Sequence, residues 1–290
     1  MNLLITGAWG QAREYISQIE WMGHRTVFMQ QEAEALPCDP QWAEGVICNG
    51  LFLHHPMEEF TNLRYIQLTS AGYDRADMDA VRSRNIEIHN ARGVYSVPMA
   101  EFALAQVLAI YKRLDQFRQQ QKRHEWIKLR DLQELAGKRV VIVGCGSVGQ
   151  ACAQRFKAFD CEVVGIDLHP RQHYGFDQMI GIENLDVELG RADVVVVCVP
   201  LTKETEGLVK VSRIRSGGIL VNISRGATVE LDDSGKTAIL DVFEQEPLGS
   251  DSPLWEAENV IVTPHNSFVG EGNAQRLSTV IINNLEERCQ

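Results

Sequence analysis

No stretch of this 290-residue sequence approaches membrane-spanning length. The aliphatic run Val194–Val199 is only the size of a strand. Met1–Thr6 is apolar but too short for a signal peptide, and Gly7 interrupts it, so no export is expected. The seven cysteines form no C-x-x-C pair and no regular framework. Several fall inside expected strands and helices as small apolar residues do, which points to a reducing, cytoplasmic setting and excludes a disulfide scaffold. Basic charge is in deficit, with 28 Lys and Arg against 39 Asp and Glu and a net charge of −11. That excludes the clustered cationic surface a nucleic acid needs, and it reads as ordinary solubility. Internal repeats and low-complexity tracts are absent too. What remains is a globular composition, 44% hydrophobic and 23% charged, long enough for two domains.

The chain is organised around residues 137–167. Val140–Val143 is a continuous β-branched run suited to a central strand covered on both faces. It ends in Gly144-Cys-Gly146-Ser147-Val148-Gly149, and a helical stretch follows at once. The first glycine permits the tight turn, the second lets backbone amides approach a pyrophosphate, and the third lets helix and strand pack closely. The helix N-terminus, with its unpaired N–H groups, would face the phosphates. A second strand, Glu162–Ile166, ends in Asp167, about 20 residues on, where a dinucleotide unit needs an acceptor for the ribose hydroxyls. A glycine turn in some other α/β protein is the plain alternative, and this context favours a dinucleotide site. Cys145, near the helix N-terminus, invites a depressed thiol pKa; a small residue that fits the loop is the preferred reading.

Elsewhere strands alternate with helices, which predicts parallel α/β layers on both sides of the glycine loop. Strands are expected at Leu3–Thr6, Thr26–Met29, Val46–Cys48, Leu63–Thr69 and Ile86–His89, with helices at Gly10–Met22 and Met78–Ser83. Pro98 is expected to open a long apolar helix, Met99–Leu114. The polar, basic stretch Gln116–Lys128, with Trp126 alone in it, reads either as a solvated helix end or as an arm for another subunit. Further strands are expected at Asp193–Val199, Gly218–Ile223, Ile239–Phe243 and Val260–Val262, with a short helix at Ile182–Leu189. Leu277, Ile281 and Leu285 give the last segment, Gly270–Arg288, an amphipathic helical spacing. The adjacent His54 and His55 do not share a face, so an exposed turn is expected there rather than a metal pair.

Chemistry must come from outside the glycine loop. Arg225, Glu246 and His265 follow strands in the second half, and such strand ends gather where a doubly wound sheet binds its ligand. Arg225 offers a planar, permanently charged fork for a carboxylate. His265 can hold or release a proton near neutral pH, and Glu246 could favour its charged form as a paired anion. Each also has a bland reading: a strand-end ion pair, a loop carboxylate before Pro247, and a turn cap.

These stretches together resemble the NAD(P)-dependent D-isomer-specific 2-hydroxyacid dehydrogenase family over nearly the whole chain. The resemblance is carried by Leu68-Thr-Ser-Ala-Gly-Tyr-Asp74, Gly93-Val-Tyr-Ser-Val-Pro-Met-Ala-Glu101 and the glycine loop. It continues through Cys198-Val-Pro-Leu-Thr202, Leu220-Val-Asn-Ile-Ser-Arg-Gly226, Leu240-Asp-Val-Phe-Glu-Gln-Glu-Pro-Leu248 and Val262-Thr-Pro-His265. It implies an α/β chain of two doubly wound parallel-sheet domains. A Rossmann cofactor domain, 97–268, would be inserted into a flavodoxin-like substrate domain, 1–96 plus 269–290, with substrate in the cleft. Arg225 would hold the carboxylate and carbonyl oxygens of the substrate, His265 would be the acid/base and Glu246 its partner. Asp241 would contact the nicotinamide carboxamide, and backbone amides near Ala71 and Gly72 would bind the substrate carboxylate. Gly144, Gly146, Ser147, Val148, Gly149, Asp167 and Pro200 complete the expected cofactor site. The implied reaction moves a hydride between the nicotinamide and a small 2-oxo or 2-hydroxy acid of D configuration. Glyoxylate, hydroxypyruvate, 3-phosphohydroxypyruvate and branched 2-oxo acids all fit. The helix after Pro98 with its polar extension resembles the family's dimer arm, so a homodimer is implied. An NAD(H)-sensing, corepressor-like protein on the same scaffold is the second reading.

The chain departs from the family pattern in two places. The stretch from Gly207 to Gly218 is a few residues short, and that from Arg225 to Asp241 lacks room for the usual helix. Either residues are wanting there, the preferred reading, or the strand bearing Asp241 returns by an unusually tight path. Asn266, after His265, falls where the family varies and could tune the substrate. The Asp167 carboxylate would repel a 2′-phosphate, so NAD is expected over NADP, although Lys138, His169 and Arg171 leave basic charge nearby.

Overall fold

The computed structural model describes residues 1–289 as two compact units, Met1–Tyr95 with the C-terminal segment from Gly270, and Ser96–Val269. Among the described residues no helix is long and apolar enough to cross a membrane.

The first unit holds β1 (Asn2–Thr6), α1 (Ala12–Trp21), β2 (Arg25–Met29), β3 (Gly45–Cys48), β4 (Tyr65–Leu68), α2 (Met78–Ser83) and β5 (Glu87–His89). Its five-stranded sheet runs β2-β1-β3-β4-β5 with every pairing parallel, the flavodoxin-like order. β3 and β4 are buried along their whole length, as central strands covered on both faces must be. The C-terminal helix Asn273–Cys289 belongs to this unit and turns Leu277, Ile281, Ile282 and Leu285 onto Leu3, Ile5, Trp9 and Tyr65. Burying each such side chain contributes about 1.5–3 kcal/mol. The buried Trp9 indole N–H donates to Ser278 Oγ at 2.8 Å, so the far end of the sequence is stapled to the first loop.

The second unit opens with α3 (Ser96–Tyr111) and α4 (Leu114–Lys122). The expected single helix, Met99–Leu114, therefore starts three residues earlier and breaks at Arg113, whose φ is +49°. Residues 123–136 carry no regular structure, and Trp126 is 95% exposed there. Then come β6 (Arg139–Val143), α5 (Ser147–Lys157), β7 (Glu162–Asp167), β8 (Gln178–Gly181), α6 (Leu185–Leu189), β9 (Val194–Val197), β10 (Val209–Lys210), β11 (Ile219–Asn222), β12 (Val229–Glu230), β13 (Thr237–Leu240) and β14 (Val260–Val262). The seven-stranded sheet runs β14-β13-β11-β9-β6-β7-β8, again wholly parallel. From β6 outward this is the 3-2-1-4-5-6 order of dinucleotide-binding sheets with one strand added. Val140–Val143 and Val194–Val197 have no exposed surface, and α3 and α5 cover one face of the sheet.

Three local differences have physical reasons. β8 lies where no strand is expected from sequence, because an edge strand with exposed Gln178 lacks the apolar run of a central one. β13 covers Thr237–Leu240 rather than Ile239–Phe243, with the Asp241 N–H making a last hydrogen bond to β11, on Asn222 O at 3.1 Å. Between β11 and β13 the chain passes through one 3-10 turn, Gly226–Thr228, and the two-residue β12, with no α-helix. β12 is held there by its parallel pairing with β10.

Candidate active site

In the second unit the glycine loop leaves β6 at the point where strand order reverses, between β6 and β9. Gly144 has φ +93°, and a Cβ there would lie 2.8 Å from Val199 N. A Cβ on Gly149 would lie 2.1 Å from Gly144 O, so only glycine lets α5 sit this close to its strand. A Cβ on Gly146 would meet nothing within 4 Å. The middle glycine thus borders open space at the start of α5, whose first N–H groups, from Ser147 and Val148, lack intrahelical acceptors. The Asp167 carboxylate at the end of β7 is oriented by two amides: Cys145 N donates to Oδ2 at 2.8 Å and His169 N to Oδ1 at 3.0 Å. Pro200 is exposed just beyond β9. Together these features fit a dinucleotide: an open phosphate cradle, a helix N-terminus and a ribose-side carboxylate. Cys145 is buried beside Asp167, and burial first, then that carboxylate, push its thiol up to about 12. It is the inert packing residue, not an activated thiol.

The ends of β11, β13 and β14 bring the expected chemical groups together. His265 stands three residues past β14 with φ +49°, its N–H shared between Asp241 O at 2.8 Å and Thr263 O at 3.0 Å. Its Nδ1 lies 2.6 Å from Glu246 Oε2, while Glu246 Oε1 accepts the Phe243 N–H at 2.9 Å. Both carboxylate oxygens of Glu246 are therefore engaged, which fixes the imidazole and leaves Nε2 as the atom to exchange a proton. The two side chains are 37% and 34% exposed, so the pair is half open to a ligand. The Phe268 ring stands edge-on to the imidazole, centroids 5.7 Å apart. Arg225 follows β11 and is held through its main chain: its carbonyl accepts Asn222 Nδ2 at 3.0 Å and Thr228 Oγ1 at 2.6 Å. Its Nη1 donates to Ser224 O at 2.8 Å. Gly226 presses this turn onto the segment bearing Glu246, since a Cβ there would lie 2.0 Å from Phe243 C.

Asp241 is placed otherwise. It has no exposed surface, and its carboxylate accepts Thr263 Oγ1 at 2.6 Å, Asn266 N at 2.9 Å and Ser267 N at 2.9 Å.

In the first unit Ala71 and Gly72 follow β4. Asn90 Nδ2 donates to Ala71 O at 2.6 Å, Ser70 Oγ donates to Gly72 O at 3.0 Å, and Ala91 N donates to Ser70 O at 2.8 Å. With the carbonyls tied down, the Ala71 and Gly72 amides carry no partner among the described residues, as an anion-binding loop requires. The sequence reading missed Asn90 in this role, and likewise Thr263 and Phe268 around His265. Thr263 was signalled by the Thr-Pro-His tripeptide itself, whereas nothing in the sequence pairs Asn90 with Ala71.

Residues 104–267 match the family described as D-isomer specific 2-hydroxyacid dehydrogenase, NAD binding domain. The chain is 31% identical over 248 residues to the hydroxypyruvate reductase of Blautia hydrogenotrophica, covering 79% of this chain and 77% of that protein. It is 32% identical over 250 residues to the glyoxylate reductase of Thermofilum pendens, covering 79% and 73%. A D-isomer specific 2-hydroxyacid dehydrogenase family protein from Aeromonas salmonicida has a crystal structure similar over 98% of this chain and 94% of that one. Its TM-score is 0.82 at 28% identity.

Proposed function

Since the chain belongs to the D-isomer specific 2-hydroxyacid dehydrogenase family, we propose that it reduces a small 2-oxo acid to the D-2-hydroxy acid with His265 as proton donor. The observation that carries this reading is the His265–Glu246 pair at 2.6 Å, on strand ends of the same sheet that bears the glycine loop. A bound nicotinamide dinucleotide, held at Gly144–Gly149 and Asp167, supplies the hydride. Protonated His265 gives its Nε2 proton to the oxygen on which negative charge develops, with Glu246 across the ring stabilising the imidazolium until transfer. Arg225 offers its guanidinium to that oxygen and to the substrate carboxylate. Asp167 favours NAD, since a second anion beside it would be repelled. The exposed Trp126 supports a homodimer built on the stretch Gln116–Lys128.

The test is NADH oxidation against glyoxylate, hydroxypyruvate, 3-phosphohydroxypyruvate and a branched 2-oxo acid. We expect turnover with at least one, and a loss of 10²-fold or more, the usual worth of a positioned acid, in His265→Ala. Turnover surviving that substitution removes His265 from the reaction. Tight NADH binding without any turnover supports the dinucleotide-sensing reading.

A further inference from the structure

β5 closes one side of the first unit's sheet, so its outer edge has no neighbouring strand among the described residues. The C-terminal helix reaches this edge, where Arg288 pairs with Glu87. Its residues Val280, Asn283, Asn284 and Glu287 follow an i, i+3, i+4, i+7 spacing and so share one face. Between that face and the end of β5 lies a cavity of about 390 Å³, at the small end of ligand pockets. It belongs wholly to the first unit. Ile88 and Val280 are its apolar lining, and the remaining side chains are polar.

Two of those polar residues carry full charges of opposite sign, and the protein neutralises neither. The Arg92 N–H donates to Asn90 Oδ1 at 3.1 Å, but its guanidinium has no hydrogen bond or ion pair among the described residues. Glu287 also lacks an ion pair among the described residues, since the adjacent cation, Arg288, goes to Glu87. His89 adds no charge at neutral pH. Its Nε2 lies 2.7 Å from Glu87 Oε1, and burial, opposed by Glu287, holds it below the ordinary imidazole range. Neutral groups complete the lining. Asn284 Nδ2 donates to Gln67 Oε1 at 2.7 Å, which leaves its Oδ1 open. The Asn283 amide and the Tyr73 hydroxyl have no partner among the described residues.

Opposite charges left unpaired on one cavity select a ligand by sign. A simple anion gains from Arg92 and is repelled by Glu287, and a simple cation meets the reverse. A molecule with both a carboxylate and an ammonium satisfies the two walls together, through charge-assisted hydrogen bonds at each end. Ile88 and Val280 suit a short side chain between them.

We propose that this pocket is a binding site for a small α-amino acid, with Arg92 on its carboxylate and Glu287 on its ammonium. Asn90 Nδ2 donates to Ala71 O at 2.6 Å, so an occupant beside Asn90 and Tyr73 acts as an effector of the loop Ser70–Tyr73. The site stands whether or not the proposed reaction does.

The test is an NMR titration of the cofactor-free protein with the proteinogenic amino acids, beginning with L-alanine. The side-chain amide signals of Asn283 and Asn284 and the backbone amide signal of Gly72 should move along one saturation curve. Arg92→Gln and Glu287→Gln, both at exposed positions, should keep the parent's thermal unfolding, and each should weaken binding at least about 10-fold. The matching single-charge compounds, propionate and ethylamine for L-alanine, should bind at least about 10-fold more weakly than the amino acid. The proposal is overturned if no amino acid moves the Asn283 and Asn284 signals, or if either variant binds as the parent does. Propionate binding as tightly as L-alanine also overturns it, because the pocket then takes any carboxylate.

Discussion

Both units are doubly wound parallel sheets, yet they treat the same topological feature in opposite ways. In the second unit the reversal of strand order between β6 and β9 opens onto a glycine that borders empty space. In the first, the reversal falls between β1 and β3, and the protein fills it with its own anion. Glu32 accepts Thr6 Oγ1, Asn49 N and Gly50 N, each at 2.7 Å, using the donors a ligand would otherwise take. Gly7, just past β1, is likewise shut in, since a Cβ there would lie 2.3 Å from Gln30 O. The architecture makes a crevice; the residues at the strand ends decide whether it receives a cofactor or is closed.

The largest effects that bear on this contrast come from the glycine loop. Gly149→Ala drives a methyl into Gly144 O and should destabilise the second unit by about 3 kcal/mol, the upper range for overpacking, with loss of NADH binding. Gly146→Ala meets no protein atom, so its thermal unfolding should match the parent while NADH affinity falls at least about 10-fold from intrusion on the phosphate. Equal NADH affinity in Gly146→Ala would mean that the space beside this glycine is not the cradle. A smaller effect is expected from Glu32→Ala, which strands three donors in the first unit. Chemical denaturation should register a loss of about 2 kcal/mol, with the Kd of NADH unmoved.

The smallest effect is one of pH. His24 and His89, both in the first unit, are lowered from the ordinary imidazole range, chiefly because burial disfavours their charged forms. The unfolded chain then takes up more protons than the folded one as pH falls through about 6.5, so their contribution is full above that value and lost below it. In the second unit Asp177 is lowered instead, by its hydrogen bond from Lys157 and then by the Val163 amide. Its contribution persists until the pH drops below the ordinary carboxylate range. Hydrogen exchange at pH 7.5 and 5.5 should therefore show β1–β3 amides losing protection while β6–β9 amides hold theirs. Equal losses in both units would remove the histidines as the cause.

Much of this was legible before the structure. Continuous Val runs gave β6 and β9 because a strand covered on both faces needs apolar side chains at every position. The three glycines announced their separate duties because each spacing answers a steric demand. The edge strand β8 escaped because one solvent-facing side dilutes its pattern. Asn90, Phe268 and the Glu32 plug escaped because their partners are distant in the chain and share no periodicity with them.

By itself, then, the sequence determined two α/β layers and the dinucleotide loop, and it singled out Arg225, Glu246 and His265 as candidate chemical groups. Those are properties of residue type and local spacing, which short-range sterics enforce. Only the tertiary structure decided that Nδ1 of His265 meets Glu246 and that the Asp241 carboxylate is met by Thr263, Asn266 and Ser267. Contacts among β11, β13 and β14 are set by how the strands stack side by side. Which face of a carboxylate meets solvent depends on donors that the chain delivers from more than twenty positions away.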